Sequence, residues 1–415
     1  MWVKVAFERP KNGAAPRISL PLSKSLSNRW RVLQHLFGNV IEVELHSDSD
    51  DCKALDEALS KRQKAFDFKL SGTALRFYLA VAALEGHQVE IQASGRGGER
   101  PIKPLLEVLE TLGMRCLYLN EKHKLPLTML PESRLLGGKA HIQADVSSQF
   151  LTSLLLVGAK MPQGLHLNWS GKAISSSYLK LTLEVLKKAD IKLAQSENFI
   201  EVFYTPSLPA LKVSIEPDWS SAAYALQALV MNGQGDLFFP NLKSDSLQPD
   251  AEVLRLLEPH GLKWQNEKLG LKVWLRSLSV FDRPLEVDCS SFPDLAIALA
   301  NMYVAIGQEA KLYGLSTLEG KESKRASHLA KELGKVAKGI VWNAEENSWH
   351  LPKFTSWPKS VQFETAHDHR MAMSLALWAC KLEQVEISEI ESVSKSFPNY
   401  WNEMAKMGFK PSLNG

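Results

Sequence analysis

"DVSSQFLTSLLLVGA" (145–159) sets Asp and Ser ahead of a long apolar run. Side-chain oxygens there can accept hydrogen bonds from the free N–H groups of a first helical turn, so the stretch reads as a capped, apolar helix. The pattern returns in "DWSSAAYALQALVM" (218–231) and "DCSSFPDLAIALANMY" (288–303). A second, amphipathic helix pattern alternates with it. It appears in "CKALDEALS" around Glu57, "LLEVLETLGMR" around Glu107, "LTLEVLKKADIK" around Glu184, "AEVLRLLEPHGLK" around Glu252, "LAKELGKVAKGI" around Glu332 and "YWNEMAKMGFK" around Glu403. The steps between those glutamates are 50, 77, 68, 80 and 71, which makes six units of near-constant length.

Short alternating pieces such as "QVEIQA", "GLHLNWS", "LKVSIE" and "LKVWLR" lie between the helices and read as strands. Each unit is therefore strand, helix, strand, helix, strand: an α/β (α+β) chain whose units must pack helices inward to share cores. A break near "VSIEPDWSS" (213–221) divides the chain into two domains of three units each. The borders predicted are 20–215 for one, and 1–19 with 216–415 for the other.

The 415 residues are ordinary in composition, 45% hydrophobic and 23% charged. A net charge of +3 excludes a general nucleic-acid coat, which needs a strongly basic face. Four scattered cysteines without CxxC spacing read as reduced thiols of a cytoplasmic protein. The opening "MWVKVAFERP" has neither a signal core nor transit character, and no apolar run is long enough for a membrane span.

The chemistry gathers at helix starts. "PLSKSLSNRW" (21–30) offers Ser23, Lys24, Ser25, Ser27 and Arg29 with no acid among them. Ser23 is placed to cap a helix that Gly38 ends. Such a terminus attracts anions through free N–H groups and the helix dipole, although a plainly capped surface helix would look the same. "LSGTALRFYLAVAAL" (70–84) sets Gly72 and Arg76 at another start. "SGRGGERPIKPLLEVL" (94–109) places Arg96 and Arg100 in a glycine-rich loop where backbone can approach a ligand, or which is simply mobile. "VSSQF" supplies Ser147, Ser148 and Gln149, and "ISSSYLKLTLEVL" (174–186) supplies Ser175 and Tyr178.

The second half adds acids: Asp294 before an apolar helix, Lys321, Glu322 and Arg325 together, Asp368-His369-Arg370, and Lys395. Helical spacing would put Lys321 and Arg325 on one face. His367 and His369 lack the acid or Cys partners a metal needs, so no metal is expected. Bases at many helix starts with a few acids among them point to proton transfer between anionic reactants.

Taken in order, "LSKSLSNR", "SGTALR", "GERPI", "VSSQFLTSLL", "KES-KR" and "DHRMAM" resemble the enolpyruvyl transferases, over residues 17 to about 405. The resemblance is to the branch that joins phosphoenolpyruvate to shikimate 3-phosphate. It implies an inverse α/β barrel of two domains, each of three βαβαββ units, with the active site in an interdomain cleft. It further implies a cytoplasmic monomer that needs no metal or organic cofactor and no nucleic acid or membrane. Lys24, Ser25, Arg29, Ser147, Ser148, Gln149, Ser175, Tyr178, Asp294 and Lys321 would meet shikimate 3-phosphate. Lys24, Gly72, Arg100, Gln149, Arg325, Arg370 and Lys395 would meet phosphoenolpyruvate. Asp294 resembles the base for the 5-hydroxyl and Glu322 the acid for the methylene carbon, with Lys24 and His369 alongside.

Four positions depart from the family pattern: Leu22 for a Gly, Leu70 for an Asn, Thr317 for an Asn or similar residue, and Lys324 for an Asp. A relative acting on UDP-N-acetylglucosamine would carry a Cys in the glycine-rich loop and Asn after the first Lys; here the loop is "GRGGERP" and Ser25 follows Lys24. A non-catalytic binder of phosphorylated ligands is the other alternative. The departures favour it, and the intact set of charged residues opposes it.

Overall fold

The computed structural model describes residues 2–10, 15–61, 63–143, 147–170 and 176–412. The chain forms two compact units, Leu22–Ile215 and Met1–Pro21 with Glu216–Gly415. One strand pattern recurs through both. A strand is followed by a helix and a parallel strand, which needs such a crossover; a second helix then leads into two antiparallel strands.

In the unit Leu22–Ile215, Ala65–Asp67 pairs parallel with Val89–Gln92, which continues antiparallel to Leu127–Met129 and then Cys116–Tyr118. Gly138–Gln143, Leu165–Ser170, Phe199–Val202 and Leu193–Ser196 repeat the order. Among the described residues, a third sheet consists of the parallel pair Leu211–Val213 and Ile41–Val43. The crossover helices Gly72–Glu85 and Ser148–Gly158 are buried on nearly every face, as helices must be when sheets surround them. The second helices, Asp50–Ser60, Lys103–Leu112 and Ser176–Lys188, are amphipathic.

In the other unit, Leu285–Asp288, Ala310–Tyr313, Ser348–Leu351 and Val341–Asn343 form the same sheet. So do Ser360–Phe363, Gln384–Ser388, Trp2–Phe7 and Phe409–Ser412, the first strand of the chain completing the last repeat with Trp2 opposite Ser388. Gly235–Pro240, Gly270–Leu275 and Leu262–Glu267 form the third sheet. Residues 16–18 run beside its first strand: Ile18 N–H donates to the Phe238 carbonyl at 2.9 Å and Phe238 N–H to Pro16 at 3.0 Å.

The central helices Trp219–Asn232, Ala296–Ile306 and His369–Leu375 pack on one another. Some of their buried polar groups bond across elements: Ser374 Oγ donates to Gln227 Oε1 at 2.7 Å, and Trp378 Nε1, in the 3₁₀ segment Ala376–Cys380 that follows, donates to Asn301 Oδ1 at 2.8 Å.

The two first strands are exchanged. Leu211–Val213 pairs within one unit, but the chain then runs into helix Trp219–Asn232 of the other. Residues 16–18 pair in that other unit and lead into helix Lys24–Phe37. This exchange is why the unit borders fall at Pro21/Leu22 and Ile215/Glu216.

All six glutamates of the repeat lie in or beside the second helix of a unit, Glu252 closing the 3₁₀ turn Pro249–Glu252 that precedes Val253–Leu257. Ser23 caps Lys24–Phe37, Ser147 caps Ser148–Gly158 and Asp218 caps Trp219–Asn232. The third copy of the capping pattern differs. Asp288 ends a strand, its carboxylate accepts from Ser290 N–H at 2.9 Å, and the helix begins only at Ala296. Pro293 disfavours helical backbone at Phe292 and delays the start. Lys321 and Arg325 do not share a helix face, because helix Arg325–Leu333 begins after Lys321, whose backbone is extended. Among the described residues no helix is long and apolar enough to cross a membrane.

Candidate active site

Within the unit Leu22–Ile215, the starts of three helices carry the basic residues read from the sequence. Lys24 opens helix Lys24–Phe37, and its Nζ lies 3.1 Å from Asp51 Oδ2. Ser25 follows, its carbonyl accepting from Arg29 at 2.7 Å. Arg29 is buried and turned inward: Nε donates to Thr182 Oγ1 at 2.9 Å, and Nη2 to Thr152 Oγ1 at 3.4 Å and the Tyr178 carbonyl at 3.1 Å. Burial lowers its pKa to about 10. Arg29 thus ties three helices together and holds the backbone of both Ser25 and Tyr178 in place.

At the start of Gly72–Glu85 two guanidinium groups converge. Arg76 donates to the Gly72 carbonyl at 3.0 Å, to Gln149 Oε1 at 2.9 Å and to the Pro101 carbonyl at 3.0 Å, and lies over the Phe150 ring. Arg100 reaches back to the Leu70 carbonyl at 3.4 Å. A Cβ on Gly72 would stand 2.3 Å from Arg100 Nη1 and 2.7 Å from Arg76 Nη1, so the bare glycine is what admits both. Gln149 Nε2 donates to Thr73 Oγ1 at 3.1 Å, which joins the starts of the two central helices. Ser147 and Ser148 sit at the second of these starts. Gly72, Arg100 and Gln149 are therefore brought together. Ser175 lies outside the described residues.

The other unit gathers a denser charge cluster. Asp294, just ahead of helix Ala296–Ile306, is ringed by Arg325 at 3.0 Å, Arg370 at 3.2 Å and Lys321 at 3.4 Å. Burial alone would raise its pKa, but Arg370, Lys321 and Arg325 hold it well below the usual carboxylate range. Glu322 is pinned between Lys395 Nζ at 2.9 Å and Arg325 at 2.6 Å. Arg325 is fully buried. Asp368 takes its Nε at 2.7 Å and one Nη at 3.1 Å in a bidentate grip, while three carboxylates hold its pKa above the ordinary value despite burial. Asp368 also caps His369–Leu375, accepting from Arg370 N–H at 2.9 Å, and takes the Ser323 hydroxyl at 3.0 Å. His369 is buried beside it, whereas His367 is exposed. Asp294, Lys321, Glu322, Arg325, Arg370 and Lys395 thus form one network.

Sequence reading left three positioning groups without a partner: Asp51 beneath Lys24, Asp368 beneath Arg325, and the pair Tyr224 and Ser220 against Arg370, each at 3.4 Å. The acidic helix starts were visible signals for the first two. Nothing in the sequence pairs Tyr224 or Ser220 with an arginine 146 or 150 residues away.

Two of the departures gain a physical account. Leu22 packs against the core of its unit and does not adopt positive φ, so a side chain is accommodated there. Lys324 is exposed at the start of helix Arg325–Leu333. The Thr317 hydroxyl is buried with no hydrogen-bond partner among the described residues.

Residues 18–404 match the family described as EPSP synthase (3-phosphoshikimate 1-carboxyvinyltransferase). The chain is 30% identical, over 94% of its own length and 95% of the other, to a 3-phosphoshikimate 1-carboxyvinyltransferase of Bacteroides fragilis. Its fold is similar to that of the EPSP synthase of Acinetobacter baumannii, with TM-score 0.73, 18% identity, and coverage of 99% of this chain and 100% of the other. It is also similar to the enolpyruvyl transferase NikO of Streptomyces tendae, with TM-score 0.70, 15% identity, and coverage of 99% and 98%. The architecture is the two-domain inverse α/β barrel, six repeats with helices inside.

Proposed function

The chain belongs to the EPSP synthase family, and from that membership we infer that it transfers the enolpyruvyl group of phosphoenolpyruvate to the 5-hydroxyl of shikimate 3-phosphate, releasing phosphate. The observation that carries this reading to particular residues is the Asp294 cluster: one carboxylate held by three cations, beside a second carboxylate, Glu322, held by two. Fixed cations of this kind neutralise the carboxylate and phosphate of an enol phosphate and orient it.

The same cations restrain the acids. With Arg325, Arg370 and Lys321 turned on it, Asp294 is too weak a base to take a hydroxyl proton. Substrate anions that draw Arg325 and Arg370 onto themselves would restore its basicity. Anions that draw Lys395 away would leave Glu322 able to take up a proton. The 5-hydroxyl then loses its proton to Asp294, its oxygen attacks C2 of phosphoenolpyruvate, and Glu322 supplies a proton to C3. Because the product keeps its vinyl group, one proton of the C3 methyl then returns to the Glu322 carboxylate as phosphate departs.

In the other unit, Lys24, Gly72, Arg100 and Gln149 are assigned to phosphoenolpyruvate, and Lys24, Ser25, Ser147, Ser148, Gln149, Ser175 and Tyr178 to shikimate 3-phosphate. Arg29 acts by fixing Ser25 and Tyr178. The reaction is carried out by a cytoplasmic monomer without metal or organic cofactor. The test is phosphate release on mixing the purified chain with both substrates. Release that requires both supports the reading; no turnover by folded protein overturns it.

A further inference from the structure

We propose that Asp250, acting through the Ser220 hydroxyl, is a positioning residue for Arg370 whose charge sets how firmly that guanidinium is held back from the substrate anion. This rests on the reading that Arg370 binds phosphoenolpyruvate.

Asp250 is buried in the 3₁₀ turn Pro249–Glu252, and one of its oxygens, Oδ2, accepts the Ser220 hydroxyl in a short contact. Ser220 in turn accepts from Arg370 Nη2 at 3.4 Å, and the same nitrogen reaches Asp294 Oδ2 at 3.2 Å. Asp250, Ser220, Arg370 and Asp294 therefore form a continuous chain. It is anchored from outside: Gln248, just before the turn, accepts from Trp219 N–H at 3.1 Å and donates to the Pro217 carbonyl at 2.8 Å, which locks the turn to the start of the helix bearing Ser220. Since the serine proton goes to Asp250, the serine lone pairs are left to face Arg370.

The other oxygen, Oδ1, is buried and accepts no hydrogen bond among the described residues. An ionised carboxylate in that state is poorly stabilised. The charged groups that act on it are Arg370, from the helix His369–Leu375; Asp294, ahead of Ala296–Ile306; and Asp218, at the cap of Trp219–Asn232. The neighbouring helix Val253–Leu257 presents buried Val253, Leu254 and Leu257. Burial raises Asp250 to a pKa of about 7; Arg370 opposes the rise, and Asp294 and Asp218 reinforce it. Near neutral pH the group therefore switches between neutral and anionic. When anionic it competes with Asp294, and with an incoming phosphate or carboxylate, for Arg370.

The experiment compares wild type with Asp250→Asn, Ser220→Ala and the double variant, measuring kcat and KM for phosphoenolpyruvate from pH 6 to 8. Because the substrate titrates identically in every assay, differences between profiles report the protein. The expected result is a several-fold lower KM for Asp250→Asn than for wild type at pH 8, no difference at pH 6, and little change in kcat. Ser220→Ala, which removes the link between Asp250 and Arg370, likewise lowers KM several-fold at pH 8, and adding Asp250→Asn to it has a reduced effect. Parallel wild-type and Asp250→Asn profiles, or an unchanged KM in Ser220→Ala, overturn the proposal.

A second readout does not need turnover and so separates this proposal from the assigned reaction. A raised carboxylate pKa means that the folded state holds the proton more tightly than the unfolded state, so that contribution to stability fades as pH rises toward the folded value. The urea midpoint of Asp250→Asn should therefore gain on that of wild type between pH 5 and pH 8. A constant gap shows that Asp250 does not change charge in this range and overturns the proposal.

Discussion

Lys395 and Glu322 meet at 2.9 Å, both nearly buried, and the second glutamate oxygen lies against Arg325. A buried carboxylate held this way is stabilised only while its partners remain, and removing one leaves the other charge uncompensated. Lys395→Met should therefore lower stability by about 3–5 kcal/mol, read as a drop in urea midpoint, and raise the KM for phosphoenolpyruvate. Glu322→Gln keeps the shape but cannot deliver a proton. It should reduce kcat by roughly 10²–10⁴-fold with substrate binding retained. Glu322→Gln with near-normal kcat would remove Glu322 from the acid role.

Gly72 admits Arg76 and Arg100 to the same helix start, and the atoms that a Cβ would strike are the ends of flexible side chains. Gly72→Ala should leave the fold intact, and it can gain about 0.4–1 kcal/mol from reduced freedom of the unfolded chain. The displaced Arg100 should show as a higher KM for phosphoenolpyruvate, with the KM for shikimate 3-phosphate unchanged. Equal changes in both constants would count against Arg100 as a selective contact.

The repeat was legible because its signals are local. A cap before an apolar run and an amphipathic helix around each glutamate need only neighbouring residues, and six copies outweigh any single one. The crossings near 20 and 215 could be placed from the repeat, but not the pairing of Leu211–Val213 with Ile41–Val43, a partner far away in sequence. At the candidate site, the charged residues announced themselves by type and position, whereas their supports did not. Asp368 under Arg325 and Tyr224 against Arg370 are long-range contacts that only packing defines. Arg29 shows the converse: its place in the motif suggests a ligand contact, while the fold turns it onto Thr182, Thr152 and two carbonyls.

That inward turn makes Arg29→Met a test of architecture. It would leave the Ser25 and Tyr178 carbonyls without their charged donor, each loss on the order of 1–3 kcal/mol. Circular dichroism melts should fall accordingly. Since Ser25 and Tyr178 would then be misplaced, the KM for shikimate 3-phosphate should rise more than that for phosphoenolpyruvate. An unchanged melt would show that the buried guanidinium is dispensable.

Asp294 should contribute to the loss of stability in acid. Its folded pKa lies below the unfolded value, so its contribution is complete above the unfolded pKa and is lost as pH falls through that value toward the folded one. Asp294→Asn removes this dependence and leaves Arg325, Arg370 and Lys321 less compensated. The variant should be less stable than wild type at pH 7, on the order of 3 kcal/mol, with the gap narrowing by pH 3. Urea midpoints at the two pH values check this, and a gap of constant size would show that the clasp does not stabilise the ionised form.

Leu70 stands where the family pattern offers an Asn to phosphoenolpyruvate, yet its carbonyl still takes Arg100 at 3.4 Å. Against that pattern, a neutral side-chain hydrogen bond is missing. Such a bond is worth about 0.5–1.5 kcal/mol, or roughly a 2- to 12-fold change in binding. Leu70→Asn should therefore lower the KM for phosphoenolpyruvate within that range and leave kcat and the KM for shikimate 3-phosphate alone. It should also shift inhibition by anionic analogues such as glyphosate in the same direction, since an amide donor does not distinguish one phosphonate or phosphate oxygen from another. If KM stays where it is in wild type, the side chain at this position does not face the ligand.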